Sequence, residues 1–212
     1  MKHLNLKKKL FNKLLIVVWL IVVFSGISFL FWQNEWKYSL PTPIPENYHS
    51  VRRGDIINIS CPPELKEHIP LFLHFFNPAC PCSKFNIAYF KSLVKKYDGK
   101  LNFVVIVISS DTTYTAKDIQ DKFGLSIPVL FDKSIAVSCG VYSTPQAAII
   151  NVDHKLYYRG NYNSSRYCTD KNSEYARMAI DSLLNNNSNL VFAETAGKSY
   201  GCSLSGCKKP VK

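Results

Sequence analysis

Residues 71–87 read LFLHFFNPACPCSKFNI, an apolar run that ends in Cys-Pro-Cys and passes into an amphipathic pattern. The first six have the length and β-rich content of a buried strand, and Asn77-Pro78 breaks them off. Pro81 fits the first helical position, because its missing N–H would have no partner there and its φ is already helical. Cys80 then falls at the N-cap, where orphan amides and the positive end of the helix dipole favour thiolate over thiol. A thiolate is the nucleophile of disulfide exchange. Two close cysteines also occur as a structural disulfide, as half of a metal site or as unrelated buried thiols, but strand, turn, cysteine, proline and helix in that order favour the redox reading.

Charge narrows the partners. The formal net charge is +11 over 212 residues, yet residues 1–13 hold five lysines, residues 198–212 hold four, and neither segment has an acid. Between them stand 17 basic against 15 acidic residues. A nearly neutral body argues against a nucleic-acid partner, so the basic ends need another reason. The first end supplies one. No charged residue occurs from Leu14 to Asn34, and 21 helical residues at ~1.5 Å each span about 30 Å, a hydrocarbon core. Lys2, Lys7, Lys8, Lys9 and Lys13 precede the run and predict a cytoplasmic N-terminus, with Trp32 and Trp36 at the far interface. A cleaved signal peptide is the rival reading, but the run is long and no small-x-small cleavage site follows it.

The expected organisation is therefore a basic cytoplasmic tail (1–13), a single-pass signal-anchor (14–34), a Pro-containing spacer holding the domain off the membrane (35–53), an α/β domain (54–190) and a mobile Cys-containing basic tail (191–212). The folded domain would face the periplasm of a bacterium, an oxidising compartment, from the inner membrane. Within it, 55–60 reads as a short strand and 82–97 as a helix with Phe85, Ala88, Tyr89, Leu93 and Val94 on the core face. LNFVVIVIS (101–109) reads as a central strand covered on both faces. A short helix over 115–123 stops at Gly124 and is followed by a short strand (128–131) and a helical turn (133–139). A hairpin of 146–151 with 156–159 and a last helix over 173–186, capped by Ser173, complete an α/β sheet with helices on both faces.

Strand-Cys-helix, a βαβ step, Thr144-Pro145 leading a hairpin and a closing helix resemble the thioredoxin superfamily in part and order. FFNPACPCSKFN, YSTPQAAIINVDHKLYYRGNY, Cys168 ahead of the last helix and the late Gly201-Cys202 are similar to a membrane-anchored bacterial family of unknown function related to the redoxins. The resemblance implies a three-layer fold with a central mixed sheet flanked by helices, and a cis peptide at Thr144-Pro145 whose loop faces the nucleophile and offers backbone to an extended partner chain. It names no substrate.

The chain also departs from that pattern. Thioredoxins carry Cys-x-x-Cys, whose three steps of ~100° bring both thiols to one side of the helix, whereas two helical steps from Cys80 to Cys82 turn them apart, so that the two could pair only with Cys80 swung outside the helix, in a strained and easily reduced bond. Ser83 stands where the second cysteine usually is. Cys202 and Cys207, on the tail, become candidates for the resolving role, with a local disulfide between them as the alternative. Cys168 reads as structural or as a third redox partner, Cys139 as a small buried hydrophobe, and Cys61 as a loop thiol or half of a disulfide.

The catalytic candidates are thus Cys80, Cys82, Cys202 and Cys207, with Thr144 and Pro145 binding substrate, and no cofactor or metal is expected. The leading reading is a periplasm-facing thiol-disulfide oxidoreductase acting on cysteine-containing proteins or a redox partner. A copper-binding or delivery module is a second reading, in which Cys80 and Cys82 supply soft thiolates, though copper-delivery relatives usually show Cys-x-x-x-Cys. A peroxidase of the peroxiredoxin type is the third, and that family wants Thr or Ser where this chain has Asn77. His74 and His154 read as core and surface histidines.

Overall fold

The computed structural model describes residues 2–36, 39–59, 62–110, 113–187 and 191–204. The chain divides between Ser39 and Leu40 into two compact units. The first is one helix, α1 (Lys2–Phe31), continued by a π-helical turn over Trp32–Trp36. Its stretch Lys9–Trp36, 28 residues, is the one described helix long and apolar enough to cross a membrane. Apolar side chains point outward all round it, from Leu10 and Leu14 to Phe29 and Phe31, with Trp32 stacked on Trp36 at the end.

The second unit is built on LFLHFF, which forms β1 (Leu71–Phe76), buried at every position. It lies mid-sheet because both neighbours pair along most of its length: β2 (Asn102–Val107) runs parallel on one side and β5 (Gln146–Ile150) antiparallel on the other. β3 (Val129–Leu130) pairs parallel with β2, and β6 (Leu156–Gly160) antiparallel with β5, giving the mixed order β3-β2-β1-β5-β6. A second, two-stranded sheet joins β4 (Ser143–Thr144) to β7 (Cys202–Ser203). The layers are those of the thioredoxin-like fold.

Successive side chains of a strand face opposite ways, so β1 feeds two cores. Phe72 and Phe76 pack with Phe90 and Leu93 of α2 (Pro81–Lys96), Ile119 of α3 (Ala116–Phe123), and Ala176, Ala179 and Ile180 of α5 (Tyr175–Leu184). Leu71, Leu73 and Phe75 pack on the other face with Ile135 and Ala136 of α4 (Lys133–Ser138). Thr115 caps α3 in a reciprocal capping box with Asp118, and Gly124 ends it in the left-handed conformation that lacks a Cβ penalty.

Several sequence expectations shift. Of the expected strand 55–60, the described residues 55–59 give only an isolated bridge, Ile56 to Lys155. The buried stripe of α2 is Cys82, Ser83, Asn86, Phe90 and Leu93, so Phe85 and Ala88 face solvent. The stripe turns toward Asn86 because polar atoms of that residue and of Ser83 find partners inside. Ser173 does not cap the late helix: it closes a 3-10 turn (Lys171–Ser173) capped by Asp170, and α5 starts two residues on. Nor is α5 the last helix, since α6 (Glu194–Gly197) follows.

The largest difference lies at the expected spacer and the expected mobile tail. Residues 191–204 pack onto the domain: Phe192 tilts against Tyr158, Ala196 and Ser199 are fully buried, and Asn161 donates to the carbonyls of Thr195 and Lys198. Residues 41–51 of the expected spacer lie on the same body. Thr42 N–H donates to Ser199 O at 2.8 Å, Pro41 bridges Tyr200, and the Tyr48 hydroxyl donates to Gly140 O.

Candidate active site

Polar groups of the Asn77–Ser83 turn fix where the first cysteine points. Asn77 Oδ1 accepts from the Ala79 amide at 2.9 Å, and Asn77 O accepts from the Cys80 amide at 3.0 Å. The Asn77 amide donates to Ser83 Oγ, so the serine in place of the usual second cysteine ties the strand end to the first helical turn. Cys80 is the N-cap of α2, in extended conformation at φ −81° and ψ 123°, with Pro81 opening the helix. Its carbonyl accepts the first intrahelical bond, from Lys84. The amides of a helix's first turn have no intrahelical acceptor, and they and the 16-residue helix dipole bear on whatever sits at this cap.

Facing the cap is the loop of Ser143, Thr144 and Pro145, with a cis Thr144-Pro145 peptide as the resemblance implied. Cys80 Sγ lies 3.7 Å from the Thr144 carbonyl oxygen. Cys80 is bonded to Cys202, 122 residues on, at a Cα–Cα distance of 6.3 Å. This replaces the expected alternative of a local Cys202–Cys207 disulfide. Cys202 reaches the site on a strand rather than on a loose tail: it pairs with Thr144, Ser203 pairs with Ser143, and the Leu204 amide donates to Tyr142 O at 3.2 Å. Behind it Gln146 Nε2 donates to Ser199 Oγ at 2.5 Å, and Thr42 Oγ1 donates to Gly201 O at 3.2 Å.

Cys82 is buried in α2, outside the disulfide, although Cys80 is extended and so lies outside the helical geometry that would turn the two thiols apart. Cys207 and Cys61 lie outside the described residues. Cys139 caps the C-terminal end of α4 in the second core, where burial pushes its thiol up to about 12. Cys168 accepts from Asn86 Nδ2 at 3.1 Å, and burial raises its thiol to about 11 despite that bond. His74 is a core histidine. It stacks on Phe90 at 4.2 Å, Nδ1 meets the Tyr162 hydroxyl at 2.7 Å, and burial lowers its pKa to about 3. His154 sits in the β5–β6 turn with positive φ.

Sequence reasoning missed the supports of Cys202: Thr42, Gln146 and Ser199. They lie far apart along the chain, and no local pattern joins them. Gly201 was visible only as half of a Gly-Cys pair.

Strand, capped cysteine, helix and the facing Thr-Pro loop define a thioredoxin-like protein. The chain belongs to the family described as Domain of unknown function (DUF6436), whose model matches residues 57–204, through β7. It is similar to the "Thiol-disulfide oxidoreductase ResA" of Bacillus thuringiensis (strain Al Hakam), at 27% identity over 153 residues covering 68% of this chain and 86% of the relative. Among solved structures it is similar to a hypothetical protein from Sinorhizobium meliloti 1021, with TM-score 0.61 at 20% identity over 76% of this chain and 98% of that one. An uncharacterized conserved protein from Geobacillus kaustophilus also has TM-score 0.61, at 22% identity over 81% and 100%.

Proposed function

We propose that the chain is a membrane-anchored thiol-disulfide oxidoreductase in which Cys80 is the nucleophile and Cys202 the resolving thiol. The observation that carries this is the Cys80–Cys202 bond at a helix N-cap. The similarity to a protein named as a thiol-disulfide oxidoreductase points the same way.

In the reduced chain the Cys80 thiolate attacks one sulfur of a partner's disulfide, forming a mixed disulfide and releasing the partner's other sulfur as a thiolate that takes up a proton. Cys202, deprotonated, then attacks Cys80 Sγ and displaces the partner's second thiolate. Two electrons pass from the Cys80/Cys202 dithiol to the partner, and a dithiol donor must return them. Run in reverse, the same steps oxidise a partner dithiol. Thr144 and Pro145 supply the backbone against which the partner's chain lies. Cys82, next to the cap, tunes the site, and Cys207 is a second tail thiol able to exchange with the pair.

The 28-residue apolar helix supports an inner-membrane anchor, and the lysines before it support placing the domain in the periplasm. Partners are then cysteine-containing periplasmic proteins or a membrane redox partner. Neither other reading gathers an observation of this kind. The copper reading needs Cys80 beside Cys82, whereas the Cys80 sulfur turns to Cys202. The peroxidase reading needs a hydroxyl where Asn77 instead builds the turn.

The test is stoichiometric reaction of a disulfide-bonded protein with the full chain in detergent, reduced beforehand and freed of reductant, with mixed disulfides trapped by acid. Cys202→Ser should accumulate a mixed disulfide on Cys80 and go no further, while Cys82→Ser completes the reaction. Normal completion by Cys202→Ser would overturn the assignment.

A further inference from the structure

Residues 201–204 hold the strand edge beside the nucleophile. The pairs Ser143 with Ser203 and Thr144 with Cys202, and the Leu204 amide on Tyr142 O, occupy the backbone of 142–144 that faces Cys80. Cys80 is fully buried beneath this strand and Cys202 is only 9% exposed. A partner strand cannot share that edge with it. The fit is also narrow one residue before the cysteine. A Cβ on Gly201 would stand inside contact distance of the Thr144 carbonyl oxygen, 3.1 Å from the carbonyl carbon and 3.5 Å from Pro145 Cδ. Its φ of +124° is a conformation L side chains rarely adopt. The close neighbours are backbone and a proline ring, which cannot swing aside as a long side chain would.

We propose that residues 201–204 are a displaceable resident strand, seated where the partner's strand binds, and that the edge selects partners with glycine immediately before the reacting cysteine. The inference rests on the oxidoreductase reading above. It adds a substrate class, an extended Gly-Cys segment antiparallel to 142–144, and a regulation: the oxidised chain closes its own site. Peeling back residues 201–204 reopens it, while Ala196 and Ser199 stay anchored in the domain.

The test uses the full chain in detergent, carrying Gly201→Ala to unseat the strand and Cys202→Ser to remove the internal thiol. The probes are the peptides KSYGCSL and KSYACSL, each with its cysteine held as a mixed disulfide with nitrothiobenzoate. Cys80 thiolate attacks the peptide sulfur, the Cys80–peptide bond forms, and nitrothiobenzoate leaves as a coloured thiolate with the electron pair. Peptide mapping by mass places the adduct on Cys80. The glycine peptide should be captured at least about tenfold faster than the alanine peptide, a difference of about 1.4 kcal/mol. It should also be captured faster by the double variant than by Cys202→Ser alone, where the resident strand still competes. Equal rates for the two peptides overturn the selection, and equal rates for the two variants overturn the displaceable strand. Reaction of Cys80 with a small aromatic disulfide but no peptide discrimination sinks this inference alone. No reaction with either sinks the nucleophile assignment, and this inference with it.

Discussion

Cys80 and Cys139 are both fully buried, and they sit at opposite kinds of helix end. Cys80 caps the N-terminus of α2, with Pro81 behind it and a partner sulfur in front. Cys139 caps the C-terminus of α4, where the dipole presents its negative end and apolar side chains close round the thiol. Equal burial leaves two differences between them, the direction of the helix and the presence of a second sulfur, and under the proposed function these set their reactivity. Cys80 stands at the positive end of its helix dipole, whereas burial among Ile135, Val141 and their neighbours is what holds the Cys139 thiol up to about 12.

The contrast between the two thiols should be greatest at Cys80, the proposed nucleophile. Cys80→Ser should lower exchange by at least about a thousandfold, measured as reduction of a protein disulfide, because no other described thiol stands at a helix N-cap. Reduced Cys80 should titrate below the ~8.5 of an ordinary thiol, measured by thiolate absorbance. Cys202→Ser comes next. Besides trapping mixed disulfides, it removes a cross-link over 122 residues and should cost about 2–5 kcal/mol of stability in denaturant melts under oxidising conditions.

His74 sharpens the comparison, as a buried titratable group at no helix end. Its folded pKa, near 3, lies below the ~6.5 of the unfolded chain, so the unfolded state binds the proton first. Its contribution is complete above pH 6.5 and is lost as pH falls toward 3. Melting temperature should fall across that window, and His74→Phe should flatten the slope. The smallest effect is expected at the other helix end. Cys139→Ser should change exchange by less than about twofold, since its thiol is uncharged at neutral pH, while costing about 1–3 kcal/mol for a hydroxyl in an apolar pocket.

Local chemistry made much of this legible. LFLHFF, Asn77-Pro78 and Pro81 each act within a few residues, so the strand and the place of Cys80 at the helix cap follow from the sequence. Cys82 stays outside the disulfide in the structure, but with Cys80 extended the helical spacing is not what decides it. The packing of 191–204 was not legible. Its composition is that of a linker, and what holds it are single contacts from distant elements: Asn161 to the carbonyls of Thr195 and Lys198, Gln146 to Ser199, and Thr42 to Gly201. The α2 stripe was misjudged for a related reason. Hydrophobic spacing favoured Phe85 and Ala88, whereas buried polar partners rotate the helix toward Ser83 and Asn86.

Under the proposed function Cys80 resolves onto Cys202 and not onto its neighbour Cys82. The direct measurement is a disulfide map of the full chain, reduced, reoxidised by a stoichiometric disulfide donor, alkylated, digested and read by mass spectrometry. The expected result is a peptide pair joining Cys80 to Cys202, with Cys82 alkylated after denaturation. A Cys80–Cys82 bond with Cys202 alkylated would contradict it.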